Sequence, residues 1–95
     1  METFYQIVVE MKALHGRREI GRFLISTDRE FAFKTFNNLK GKTNVLQSQI
    51  LLLNLLEIHR GSELIIESVA CNLEELAENC KIITKDAFKF FNLEK

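Results

Sequence analysis

The sequence predicts an α+β fold: strand, strand and helix occur twice, forming a four-stranded antiparallel sheet with helices on one face and a short C-terminal helix. Three observations predict it. Residues 3–14 alternate, with Tyr5, Ile7, Val9, Met11 and Ala13 on one side and Gln6, Glu10 and Lys12 on the other. That is the period of a half-buried strand. Residues 49–59, QILLLNLLEIH, are apolar on both sides apart from Asn54, so this strand needs cover on each face. Finally, at an offset of 44 residues the two halves, about 3–41 and 47–83, repeat the order strand, turn, strand, cap, helix, leaving 84–95 as a tail. His15 falls on His59, Glu19 on Glu63 and Glu30 on Glu74, identities too few to mean more than a shared pattern.

The bulk properties place one domain, residues 1–95, in the ordinary globular class, with 46% hydrophobic and 27% charged residues. Thirteen basic side chains balance thirteen acidic ones, so no global field draws in nucleic acid or an anionic membrane. The opening METFYQIVVEMK alternates like a strand and lacks the pattern of a secretory signal. Residues 50–56 form the longest apolar run, interrupted by Asn54 and far short of the ~20 residues that span a bilayer. A soluble, cytoplasmic protein is expected, with Cys71 and Cys80 as reduced thiols. Neither cysteine nor histidine occurs in a CxxC or HxxxH pair, and no metal or cofactor is expected.

Taken in order, the first strand leads into His15-Gly16-Arg17-Arg18, a polar turn with a glycine. Residues 19–27 return as a strand carrying Ile20, Phe23, Leu24 and Ile25. Thr27 or Asp28 caps a helix reaching about Leu39, whose stripe is Ala32, Phe33, Phe36 and Leu39, and Gly41 is placed to end it. The linker KGKTNVLQS precedes the third strand. His59-Arg60-Gly61-Ser62 makes the second turn, and residues 63–71 return with Leu64, Ile65, Ile66 and Val69. Asn72 caps the second helix, with Glu75 three residues on and a stripe of Leu73, Leu76, Ala77 and Cys80. Thr84 or Asp86 then starts a short final helix in which Ala87, Phe88, Phe90, Phe91 and Leu93 seek cover. If the halves are related by a pseudo-twofold axis, the first and third strands become central neighbours and the order is 2-1-3-4.

Catalytic motifs are weak throughout. Gly41-Lys42-Thr43 resembles the end of a phosphate-binding loop, but Phe36 stands where that loop needs glycine and a helix precedes it. His15 and His59 belong to turns at opposite ends of the sheet, too far apart for one ion. Glu74, Glu75 and Glu78 suit the first turns of a helix without any catalytic role. No nucleophile sits in an activating context, and an enzyme is not expected.

The feature that stands out is the second face of the third strand. Burying Ile50, Leu52, Leu56 and Ile58 contributes on the order of 6 to 12 kcal/mol as an upper bound. Two coverings are expected to compete or combine: the phenylalanine tail, through Phe88 and Phe91, or a second copy of the chain forming a homodimer. The chain is therefore read as a non-catalytic binding or protein-interaction module. The alternative is a nucleic-acid binder using Arg17, Arg18 and Arg22 on the first hairpin with Lys40 and Lys42 on the linker.

The C-terminal run NLEELAENCKIITKDAFKFFNL, with DREFAFKTFNNLKG upstream, resembles a small family of cytoplasmic Bacteroidetes proteins with no assigned function. The resemblance implies a bacterial origin and carries no residue roles with it.

Overall fold

The computed structural model describes residues 2–43 and 50–93. Residues 44–48 of the expected linker, Gln49 and the side chain of Leu93 lie outside the described residues. The elements are β1 (Thr3–Ala13), β2 (Gly16–Ser26), α1 (Arg29–Asn37), β3 (Leu51–His59), β4 (Ser62–Cys71) and α2 (Leu73–Phe88), followed by a π-helical turn over Lys89–Leu93. The four strands form one antiparallel sheet in the order β2-β1-β3-β4, as expected from the pairing argument. One helix, α1, lies between the two strand pairs, and the longer α2 follows them.

Local chemistry accounts for both hairpins. Arg60 and Gly61 take φ of 52° and 86° between the paired residues His59 and Ser62. Two successive positive φ values make the tight turn whose twist matches that of the strands. In the first hairpin Ala13 pairs with Gly16, and Gly16 carries the positive φ, 117°. Register shifts leave Ile20 and Ile25 extra on β2 and Ile66 extra on β4, bulges that increase the local twist.

The main core lies between one face of the sheet and the two helices. Tyr5, Ile7 and Val9 of β1 meet Leu51, Leu53 and Leu55 of β3, with Ala32 and Phe36 from α1 and Ile83 from α2 packed on them. In α1 Ala32 and Phe36 of the expected stripe enter the core and Phe33 flanks it, while Leu39, also beside the core, lies just past the end of the helix. Asp28 is the cap, accepting from the Phe31 amide at 2.8 Å, and the helix ends at Asn37.

Gly41 does not terminate α1. It lies against β4, where Lys42 and Ala70 exchange two backbone hydrogen bonds of 2.8 Å, and a Cβ at position 41 would collide with the Ala70 carbonyl and with Val69. With φ at 144°, the position needs glycine for close approach of two backbones.

The second helix departs from expectation in two respects. Its buried positions are Asn79 and Ile83, with Leu76 beside the core, whereas Leu73 and Ala77 are exposed. The buried line is therefore turned away from the expected stripe. It includes an asparagine because Asn79 serves the backbone: its Oδ1 accepts from Lys40 N at 2.7 Å and its Nδ2 donates to Lys40 O at 2.9 Å. Nor does a new helix begin near Thr84. The helix runs unbroken to Phe88; Thr84 bonds back to the Cys80 carbonyl at 2.7 Å, and Asp86 accepts from Thr35 of α1 at 2.8 Å. A capping box at Asn72 and Glu75 starts it, as the sequence indicates.

Candidate functional site

Across the sheet from the helices, residues stack in rows set by the strand register. Leu24, Gln6, Leu56 and Ile65 cross all four strands in one row; Arg22, Val8, Asn54 and Ser68 form the next. Val8, Leu56 and Ile58 form a second small cluster with Phe4 beside it. Leu52, Leu56 and Ile58 are only 8%, 5% and 6% exposed in the single chain. The single chain thus already buries these three before any second copy is added.

The tail packs elsewhere: Phe90 stacks against Phe31 of α1 with ring centroids 5.0 Å apart, and Phe91 meets Phe90 edge-on at the same distance. On the open face an edge-to-edge contact spans the central strands. Arg22 on β2 donates to Gln6 at 2.7 Å and to Glu63 of β4 at 2.9 Å, while holding Glu19 by two further bonds. In a flat sheet the outer strands lie about 14 Å apart, so this bond requires both side chains to lie over β1 and β3 on a twisted sheet. Glu19 is held below the usual carboxylate range by its hydrogen bonds from Arg22. The guanidinium is in turn kept more firmly protonated by Glu19 and then Glu63.

The sequence-predicted interface residues consequently separate. Leu52, Leu56 and Ile58 are floor. Ile50, 63% exposed, stands at the sheet end near Met11 and Leu73, around a mostly apolar recess of about 420 Å³. Phe88, 57% exposed, sits at the end of α2, and Phe91 joins the aromatic tail cluster. The exposed apolar residues bracketing the open face are Leu24 at 47% and Ile65 at 57%, one on each edge strand.

The basic residues of the alternative reading do not gather either. Arg17 pairs with Glu10 at 3.3 Å and Arg22 is bound as above, while Arg18 is an exposed neighbour on β2. Lys42 lies against the opposite edge strand through its bridge to Ala70, and the Lys40 backbone is fixed to α2. The histidines are likewise apart: His59 pairs in register with Thr3, bonding its hydroxyl at 2.6 Å, and His15 is in the turn at the other end of β1.

No family model, curated protein or solved structure matches this chain.

On the helix side, Tyr5 donates to Glu57 at 2.7 Å, and Arg29 donates to the same carboxylate oxygen at 2.7 Å while lying over the Phe33 ring. Burial, then the bond to Glu57, pushes the Tyr5 hydroxyl above its ordinary range. This trio ties the start of α1 to the central strands. At the sheet end, burial pushes the Cys71 thiol up to about 11, with the Glu75 charge adding to it. Such a thiol is a poor nucleophile.

Among the described residues no group of three metal-ligating side chains occurs, and no helix is long and apolar enough to cross a membrane.

Two buried asparagines differ in how far the sequence marks them. Asn54 was visible as the one polar residue in an apolar strand, whereas nothing in the helical period of α2 marks Asn79.

Proposed function

We propose that this chain is a one-domain, non-catalytic binding module that associates with a second copy of itself through the open face of the sheet. The observation that carries the reading is the exposure of Leu24 and Ile65 on a face without helices, either side of a buried apolar floor. The arrangement is self-complementary. A two-fold axis lying between two such faces and parallel to the strands sets β2 of one copy over β4 of the other. Leu24 then meets Ile65, and Arg22 lies over Ser68. The two strand-strand-helix halves, read as a repeat of pattern, supply the matched edges that this symmetry uses.

The test is the solution mass at micromolar concentration by light scattering, for the wild type, Ile65→Glu and Leu24→Glu. A wild-type dimer dispersed by either substitution, with the circular dichroism unchanged, supports the reading; a wild-type monomer overturns it. The dimer persists or tightens at high salt, because its contacts are mainly apolar. Nucleic-acid affinity falls steeply with salt, and the placement of the five basic residues on opposite edges disfavours that alternative.

A further inference from the structure

Of the apolar stripe read from the sequence of α2, Leu76 lies beside the core, while Leu73 and Ala77 are exposed and Cys80 is half-buried. The helix turns Asn79 and Ile83 inward, and the line Leu73, Ala77, Cys80, Thr84, Phe88 stands roughly 120° round the helix from them. This second face is about four turns long. Leu73 at one end is 73% exposed and Phe88 at the other 57%. Between them a shallow depression of about 470 Å³ lies around Cys80, Lys81, Thr84 and Lys85. The Thr84 hydroxyl is spent on the Cys80 carbonyl at 2.7 Å, so covering this face leaves no stranded donor there.

One flank of this face carries an ordered row of charges, Glu74 and Glu78 toward the N-terminus, then Lys81, Lys85 and Lys89 toward the C-terminus. All five are exposed, and none takes part in an ion pair among the described residues. The helix dipole favours acid first and base last. It does not account for the large apolar side chains at the two ends, and the four-residue steps Glu74–Glu78, Lys81–Lys85 and Lys85–Lys89 set like charges side by side, which is unfavourable in a lone helix. The pattern becomes complementary when a second copy lies antiparallel. About a two-fold axis crossing the helix between Cys80 and Lys81, Leu73 and Phe88 are equidistant, each roughly 11 Å away at the helical rise. Leu73 of each copy then lies on Phe88 of the other and Ala77 on Thr84. Glu78 falls between the other copy's Lys81 and Lys85, and Glu74 between its Lys85 and Lys89. The two Lys81 side chains adjoin at the axis, each beside the other copy's Glu78. A parallel pair would set like charge against like along the whole row.

We infer that this face of α2 pairs antiparallel with the same face of a second copy, Leu73 against Phe88 at both ends and the charged rows interleaved. The occupant is another copy of this chain because it must present the same apolar ends and the same charge order in reverse, which this helix itself does. The contact is on the helix side of the sheet and does not rest on association through the open face. One helix face buries less than the ~1,200 to 2,000 Å² of a stable complex, so the pair is transient and forms at about 0.1 mM and above. Association through the open face is measured at lower, micromolar concentration.

The experiment is copper–phenanthroline oxidation of the full chain carrying Cys71→Ala, which leaves Cys80, next to the two-fold axis, as its one thiol. The expected product is a dimer joined through Cys80, seen on a non-reducing gel. In the same background, Glu74→Lys with Glu78→Lys, or Lys81→Glu with Lys85→Glu, slows cross-linking about tenfold or more when each chain is oxidised alone. An equimolar mixture of the two restores it, giving a covalent dimer of mixed composition by mass spectrometry. Phe88→Ser, which leaves the charges as they are, slows it likewise, and circular dichroism confirms that each variant is folded. Ile65→Glu, on the open face, cross-links at the unaltered rate, so the two associations fail independently. Absence of the dimer, equal rates in the charge-reversed or Phe88→Ser chains, or no recovery in the mixture overturns the inference.

Discussion

At the scale of single residues, the two sharpest expectations concern backbone approach and thiol chemistry. Gly41→Ala places a methyl group into the Ala70 carbonyl at a backbone angle that disfavours any side chain. The Lys42–Ala70 bridge must open, and urea denaturation is expected to show a loss of more than about 2 kcal/mol. Asn79→Ala acts on the same loop from the other side: it strips partners from both the N–H and the C=O of Lys40 and costs about 2 to 4 kcal/mol in the same assay. Cys71 titrates above its ordinary value of 9.0, at about 11, because the fold buries it beside Glu75. The proton is then held more tightly in the folded than in the unfolded chain. The thiol's contribution is fully present below pH 9.0 and is lost as the pH rises through about 11. Stability measured from pH 8 to 10.5 should fall more steeply for the wild type than for Cys71→Ala, by up to about 2 kcal/mol. Of these residues only Cys71 was legible in the sequence as a buried thiol at a strand end. Gly41 looked like a helix stop and nothing in the sequence marked Asn79, because their roles depend on backbone from distant parts of the chain.

At the scale of elements, strand content, both turns and both caps were legible because each rests on local chemistry. Alternation marks β1, glycines mark the turns, and Asp28 and Asn72 offer oxygen to free amides. Replacing Asn72 with Ala removes the capping box and should cost about 1 kcal/mol, with a small loss of helical ellipticity at 222 nm confined to the first turn of α2. The end of that helix was misread for a physical reason. Threonine and aspartate favour caps, but Thr84 satisfies its hydroxyl on the Cys80 carbonyl and Asp86 meets Thr35 across the helix pair. Tertiary partners removed the incentive to break the helix. The aromatic tail followed, turning onto Phe31 of α1 and away from the open face of the sheet.

At the scale of the whole molecule, the question is what an apolar second face on one central strand requires. Sequence alone counts Leu52, Leu56 and Ile58 as surface awaiting a cover, because alternation reveals which face a residue takes and says nothing of what overhangs it. In the folded chain all three are buried, and on the same face Arg22 reaches Glu63 across the central pair. Substitutions on this face therefore divide into two kinds. Leu52→Glu forces a carboxylate into a position 8% exposed within the isolated chain, a cost of several kcal/mol that consumes much of a small domain's total stability. Ile65→Glu, at a position 57% exposed, changes stability by about 0.5 kcal/mol or less. Thermal melts of the two variants at a concentration low enough to keep both monomeric are the decisive measurement. A large drop in melting temperature for Leu52→Glu alone identifies that leucine as core of the single chain. Equal, small drops would mean that Leu52 is covered only when two copies meet.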